Sequence, residues 1–514
     1  MHIRTNEVVS LIIRERFGPI IEKVVHVLHT QSTSTLKEIR QKTELPLDKV
    51  KEALCILIKY RLVSFEPSEK YTNVAYYSLC VGNIILMLRY PKYMIVIKKK
   101  FGDQSEMIIE ELLQNSYLTA QNIILNVAER LKCDKNELCH IRDTFCSLVV
   151  AKYIRKLPKK IINEEDELQV PTFDNSEEEA FSTPTVDLKL LTQVYIKKIE
   201  KKELPKDDYW IVNFDRYHQD MRDQCIVDAF VNRIDESAGT FVGLLLQQMY
   251  IRTEPWADSS NPVPLSEIKH ILTKKMINPN LVTFFDQYVN VIEQDNHHIV
   301  VRSGEASGGS FQIHLKKAFT ALAWELVEQV ILQKFDSKAT RIFRLVKEKE
   351  YIDPEQLQQL VMIPSKDAKR ISYQLVQERF LKMRDFKKPT SNSGPVKSAT
   401  LFYIDLNTVV ENLYSLSFKT LRNIMLRRNH LYDTNKRLLE KKQRCDMIVM
   451  MMKTQGATAE QISEFEENIS PPEREIINNV ERQMKKLSLA ELEMDNTIFI
   501  IEMYLKYHFH KILY

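Results

Sequence analysis

Apolar residues recur along this chain at helical spacing in short paired segments, and the pairs are followed by stretches that alternate at strand spacing. The first pair lies in TLKEIRQKTELPLDKVKEALCILIKYRLVSFE, residues 35–66. Its second segment sets Val50, Ala53, Leu54, Leu57 and Ile58 at i, i+3, i+4, i+7 and i+8, one apolar stripe of an amphipathic helix. Pro46 closes the turn before that helix. Residues 61–65 then read as a strand, SEKYTN (68–73) as a turn and residues 74–79 as a returning strand. Two helices and a β-hairpin in this order make a winged helix-turn-helix.

The pattern recurs three more times with little identity of letters. Around 119–157 the stripe is Leu138, Ile141, Phe145, Leu148 and Val149, ending in AKYIRKL with no evident returning strand. In 264–315 the spacing predicts one long helix over 281–296 with Val282, Phe285, Val289 and Ile292 inward. HHIVVRS, a GEASGG turn and SFQIHL follow as a hairpin. In 353–406 Ala368, Ile371 and Leu375 form the stripe, then FLKMRDF, a loop holding Gly394-Pro395, and TLFYIDL. A plain helical solenoid also repeats helix pairs but predicts no hairpins after them.

Two stretches depart from the repeat. Residues 157–207 mix Pro, Ser and Thr with EEDE (164–167), EEE (177–179) and KKIEKK (197–202), the composition of a mobile charged linker. Beyond 406 heptads replace wings. Ile424, Leu431, Leu438, Cys445 and Met452 are spaced by sevens, as are Val480, Leu487, Met494 and Ile501, with Ile477, Met484, Ile498 and Leu505 as a second seam. Basic residues crowd 419–444 and acidic ones predominate over 464–495. Two such arms joined by a short loop predict an antiparallel coiled-coil hairpin. The expected fold is therefore mainly α with small β wings. Its parts are winged helices at 1–80, 81–156, 208–318 and 319–405, a flexible linker at 157–207 and a coiled-coil hairpin at 406–514.

Composition narrows the function classes. Only 10 of 514 residues are glycine, against about 7% in average usage, which disfavours doubly wound enzymes with glycine-rich βα turns. Seven cysteines without CxxC spacing argue against a disulfide framework or a zinc module. The cluster Cys133, Cys139, His140 and Cys146 reads as thiols packed in a helical module. No apolar run approaches the roughly 18 residues of a membrane span, so a cytosolic or nuclear protein with no membrane partner is expected. No phosphate loop, HExxH, GxSxG or HRD motif occurs. The expectation is a non-enzyme without cofactor or metal.

Net charge is only +4, from 73 basic and 69 acidic residues, so the placement of charge matters more than its sum. The third copy's helix, 281–296, has no Lys or Arg, which disfavours phosphate contact and points to protein. The fourth copy carries Lys366, Lys369, Arg370, Arg379, Lys382, Arg384, Lys387, Lys388 and Lys397 on its helix and wing, and the first carries Lys49, Lys51, Lys59 and Arg61. Lys366, Lys369, Arg370, Lys387, Lys388, Lys49 and Lys51 are the candidate nucleic-acid contacts. Val480, Leu487, Met494, Ile501, Leu431 and Leu438 are the candidate coiled-coil core.

Several segments resemble the winged-helix subunit of RNA polymerase III. They are LRYPKYM (88–94), IIEELL (108–113), FDRYHQDMRDQ (214–224), TRIFRLV (340–346), MIPSKDAK (362–369), NKRLLEKKQR (435–444), PPERE (471–475) and DNTIFIIEMYL (495–505). That family is related in architecture to the large subunit of TFIIE. The resemblance implies a nuclear, non-catalytic subunit in a heterotrimer with a small winged-helix subunit and an acidic-tailed subunit, docked on the clamp of the largest subunit. It implies a role in transcription initiation and promoter opening at tRNA and 5S rRNA genes, with contacts to TFIIIB and to double-stranded and melted promoter DNA. The linker is shorter and less basic than in some relatives, which weakens any targeting or DNA role for it. The competing reading is a scaffold subunit of a PCI-type complex, proteasome lid or COP9-like, which predicts one wing near the C-terminus and no heptads.

Overall fold

The computed structural model describes residues 2–67, 74–132, 137–161, 170–174, 177–196, 208–275, 279–304, 309–387, 398–455 and 469–509. They form two compact bodies, one of residues 12–315 and one of residues 1–11 with 316–511. Among the described residues no helix is long and apolar enough to cross a membrane.

The first module of the 12–315 body follows α1 (His2–Phe17), which crosses the body boundary. It comprises α2 (Pro19–Gln31), β1 (Thr33–Thr35), α3 (Leu36–Thr43), α4 (Leu47–Lys59), β2 (Val63–Pro67) and β3 (Ala75–Leu79). Thr35 starts α3 through a capping box: its hydroxyl accepts from the Glu38 amide, and its own amide donates 2.8 Å to the Glu38 carboxylate. Val50, Ala53, Leu54 and Leu57 are buried on one face of α4, while Ile58 is half-buried at its edge. Each fully buried aliphatic side chain contributes about 1.5–3 kcal/mol. The turn at 68–73 lies outside the described residues.

The second module adds α5 (Val81–Leu86) and α6 (Tyr90–Phe101), then α7 (Asp103–Asn115), β4 (Leu118–Thr119), α8 (Ala120–Leu131), α9 (Glu137–Val150) and β5 (Ile154–Lys156). The segment expected to be a linker is instead largely built into this module. It contains β6 (Lys159–Ile161), β7 (Thr172–Asp174), α10 (Glu177–Ala180) and α11 (Leu188–Tyr195), and β8 (Tyr209–Val212) follows it. Strands β6 and β7 pair antiparallel, and α11 buries Leu191 and Val194 in the core of α8 and α9. Tyr209–Val212, expected to open the third copy, is the missing return strand of the second: it pairs with β4 and β5. Trp210 is fully buried there, edge-on to Phe145 at 5.4 Å. EEDE and KKIEKK lie outside the described residues.

The third module comprises α12 (Phe214–Arg233), α13 (Glu236–Arg252), β9 (Val263–Pro264), α14 (Leu265–Lys275), α15 (Pro279–Thr283), α16 (Phe285–Glu293), β10 (Val300–Gly304) and β11 (Ser310–Ile313). The single helix expected over 281–296 is broken at Phe284, whose backbone leaves the helical region. The break rotates the inward set: Leu281 is buried and Val282 is exposed, while Phe285, Val289 and Ile292 face the core.

The second body holds α17 (Leu315–Lys334) and the fourth module: α18 (Ser337–Lys349), β12 (Tyr351–Ile352), α19 (Pro354–Val361), α20 (Ser365–Gln377), β13 (Lys382–Lys387) and β14 (Ser398–Tyr403). The loop with Gly394-Pro395 lies outside the described residues. All four modules carry a three-stranded antiparallel sheet with the same strand order, first, third, second. They also share backbone punctuation. Ser32, Glu44 and Arg61 have positive φ at three turns of the first module, and Ser116, Lys132 and Lys152 repeat this in the second. Glu350, Met362 and Arg379 repeat it in the fourth, whereas among the described non-glycine residues the third retains His298 alone. At Arg61, Lys152 and Arg379 two backbone bonds close the helix end in the Schellman manner.

The chain ends in α21 (Leu406–Thr454) and α22 (Pro471–Phe509), packed antiparallel: Asn407 meets Tyr504, Arg428 meets Glu491 and Lys441 meets Glu473. Lys442 pairs with Glu481 as well, so the basic and acidic arms neutralise each other. Val480 and Ile501 are buried, but Leu431, Leu438, Leu487 and Met494 are half-buried. The buried residues of α21 are instead Leu421, Met425, Leu439 and Val449, together with those at its base. A straight helix drifts about 20° per heptad from a strict seven-residue repeat, so the seam leaves one column for its neighbour. Away from the base, two helices alone cover each other's seam incompletely.

Candidate nucleic-acid interface

In each module the helix before the wing stands on the sheet with one face inward and one outward, and the outward faces differ. Ala368, Ile371, Ser372 and Leu375 of α20 are buried. The same geometry puts Lys366, Lys369 and Arg370 together on its exposed side, at i, i+3 and i+4. Tyr373 follows one turn later on that side and is 54% exposed. No carboxylate of the described residues lies within ion-pair distance of the three cations; the nearby Asp367 is 3.5 Å from Lys338 instead. This leaves a cationic strip with an aromatic at its end, free to meet phosphate.

The wing beside it is anchored at its base. Lys382 donates 2.7 Å to Asp405 and 2.7 Å to Thr408, which itself donates 2.6 Å to Asp405. The bond from Lys382, then that from Thr408, holds the Asp405 carboxyl below its ordinary range. Arg384 is exposed on β13, with its guanidinium 5.2 Å from the centre of the Phe386 ring. Lys387 ends β13 opposite Ser398, while Lys388 and Lys397 lie outside the described residues.

The other modules do not repeat this strip. Lys49 and Lys51 are exposed on α4, but two residues apart they point to different sides of the helix. On α9 the one arginine, Arg142, is paired with Asp143 at 2.7 Å. Helices α15 and α16 carry no Lys or Arg and expose Val282, Phe284 and Val291. Among the described residues no three His, Cys, Asp or Glu side chains gather as metal ligands. Cys139 and Cys146 are free thiols on α9, and Cys133 lies outside the described residues.

Comparison with known proteins covers the chain from end to end. A helix-turn-helix domain model of RNA polymerase III subunit RPC82 matches residues 7–68, and a second RPC82 model matches residues 143–322. A POLR3C C-terminal winged-helix model matches residues 327–404, and an RPC3 helical hairpin model matches residues 437–500. The chain is 32% identical to DNA-directed RNA polymerase III subunit RPC3 of Homo sapiens over 531 residues, 97% of each chain. It is 30% identical to the Danio rerio RPC3 over 533 residues, 96% of this chain and 97% of that one. The chain belongs to the RPC3 family of RNA polymerase III subunits. In RPC3 terms, α20 and its wing fall inside the C-terminal winged-helix match, and residues 437–454 of α21 and 471–500 of α22 fall inside the hairpin match.

Tyr373 is not among the candidates read from sequence, although its seven-residue offset from Lys366 is the signal that places it on the basic face. The exposed apolar set on α15 and α16 is hidden for another reason. The break at Phe284 is a backbone event, and it decides which of Leu281 and Val282 turns inward.

Proposed function

We propose that this chain is a non-catalytic subunit acting in transcription initiation and promoter opening by RNA polymerase III at tRNA and 5S rRNA genes. In this reading it works in the nucleus, in a heterotrimer with a small winged-helix subunit and an acidic-tailed subunit, docked on the clamp of the largest subunit and in contact with TFIIIB. The observation that carries it is the end-to-end match to RPC3. The exposed strip of Lys366, Lys369 and Arg370 supplies a sequence-independent hold on promoter DNA through its phosphates. The third module's helix face, which lacks Lys and Arg and exposes Phe284 and Val291, fits a protein neighbour within the polymerase. Four modules with wings and a terminal hairpin also disfavour a PCI-type scaffold. Native co-purification of the tagged chain tests the proposal: polymerase III subunits in stoichiometric yield support it, and proteasome-lid or COP9 subunits in their place overturn it.

A further inference from the structure

The apolar side chains that the terminal arms leave uncovered gather near the far end of α21, in MIVMMMK (447–453). Val449 faces inward there, whereas Met447, Ile448, Met450 and Met451 are 58%, 41%, 70% and 60% exposed. Met447, Met450 and Met451 stand at i, i+3 and i+4 and so share one side of the helix, with Ile448 bordering Met451 at the same spacing. Single exposed apolar residues are ordinary on a protein surface, but a contiguous group marks a place that something covers. Methionine is unbranched and adaptable, and exposed clusters of it mould to the apolar faces of other helices.

The charge around the patch narrows what covers it. Just before it, Lys441 and Lys442 are neutralised by Glu473 and Glu481 of α22. Arg437, Arg444 and Lys453 are exposed and have no carboxylate within ion-pair distance among the described residues. Arg444 lies one turn before Met447, Lys453 lies one turn after Met450, and Asp446 is the one acid between them. The second arm does not reverse this balance. Glu473, Glu481 and Glu491 turn toward the cations of α21, which leaves Arg482, Lys485 and Lys486 exposed and likewise unpaired on α22. An apolar patch within a cationic rim complements an apolar stripe flanked by carboxylates. The backbone of α21 is closed by its own hydrogen bonds, so no strand can add to it. A second helix laid alongside matches the i, i+3, i+4 spacing. A second copy meeting the same patch would set Arg444 and Lys453 against like charges, and a phosphate backbone would meet the cations but leave the methionines in water.

We propose that this end of α21 binds an amphipathic helix of another protein that carries carboxylates beside its apolar stripe. Met447, Met450 and Met451 take the stripe, and Arg444 and Lys453 take the carboxylates at its edges. The site uses neither the basic face of α20 nor the exposed face of the third module, so it goes beyond the reading above.

Fluorescence anisotropy of the full chain with labelled synthetic peptides tests the assignment. One peptide is a helix of about 18 residues with Leu at i, i+3, i+4 and i+7 and Glu on both flanks. The other keeps the Leu positions and replaces Glu with Lys. The acidic peptide should bind and the basic one should not. Met447→Gln with Met450→Gln and Met451→Gln should weaken binding about tenfold or more, with helix content unchanged because these side chains are exposed. Arg444→Glu with Lys453→Glu should weaken the acidic peptide and admit the basic one, a reversal that loss of fold cannot produce. Saturating acidic peptide should also slow oxidation of Met447, Met450 and Met451 by dilute peroxide in the unmodified chain. Failure of the acidic peptide to bind, equal binding of the basic one, or unaltered oxidation of the three methionines overturns the proposal. Self-association of the unmodified chain that the methionine variant abolishes overturns it as well, since it makes the patch a contact between copies.

Discussion

Apart from the break at Phe284, the third and fourth modules place helix, strand and wing in the same order, with the same strand order in their sheets, yet their last helices turn opposite chemistry to solvent. Helix α20 shows Lys366, Lys369, Arg370 and Tyr373, whereas α15 and α16 show Val282, Phe284 and Val291 and no basic residue. The inward faces are alike: Ala368, Ile371 and Leu375 in one, Phe285, Val289 and Ile292 in the other. The difference teaches that the apolar stripe sets where the helix stands, and that only the opposite face says what it meets. Phosphate repels or ignores a face without cations, and an exposed aromatic among aliphatics gains most by being covered.

The harshest way to probe the shared part is to charge the stripe. Leu375→Asp and Ile292→Asp each place a carboxylate where the native side chain is buried, at a cost of about 3–5 kcal/mol or more. Hydrogen exchange should then lose protection over 337–403 in the first variant and over 263–313 in the second. Loss of protection in all four modules at once would show that they are not separate cooperative units. A milder change tests the faces themselves. Phe284→Ala with Val291→Ala should leave the fold intact and DNA binding unchanged, while weakening incorporation into the polymerase about tenfold, roughly 1.4 kcal/mol. Normal incorporation at limiting concentration removes the third module from the interface.

The smallest effect belongs to the wing anchor of the fourth module. Asp405, held below its ordinary value near 3.8 by Lys382 and Thr408, adds stability that is fully present above that value. The contribution is lost as pH falls through the lower, folded-state value. The pair is about one-third exposed on each side, so solvent screening limits it to less than about 1 kcal/mol. Asp405→Asn should reduce stability slightly at pH 7 and remove this part of the acid sensitivity below about pH 4. An unaltered acid-unfolding midpoint in that variant shows that the anchor contributes nothing measurable.

The fourfold repeat was legible because apolar stripes such as 50/53/54/57 and 368/371/375 are local and periodic. The return strand of the second module was not, since Tyr209–Val212 is separated from β5 by an insertion whose charge and proline content imitate a linker. Long-range pairing leaves no periodic trace in the letters. Nor does the recurring positive φ at Arg61, Lys152 and Arg379, because these turns use ordinary residues in a conformation that glycine usually marks. The basic strip was legible residue by residue, but whether neighbouring carboxylates neutralise it is a question of packing. That is why Arg142 and Lys366, two cations on equivalent helices, part company: Asp143 holds the first and no carboxylate of the described residues holds the second.

The contrast between the two modules rests on the exposed face of α20, and the salt dependence of duplex DNA binding measures that face most directly. Lys366→Ala, Lys369→Ala and Arg370→Ala together should weaken binding without regard to sequence. They should reduce the slope of log affinity against log salt by up to about 0.9 for each phosphate that the strip neutralises. The cost should fade at high salt, where exposed charges are screened. The same affinity and the same slope in the unmodified chain and the triple variant would contradict the account and leave the strip a solvated face.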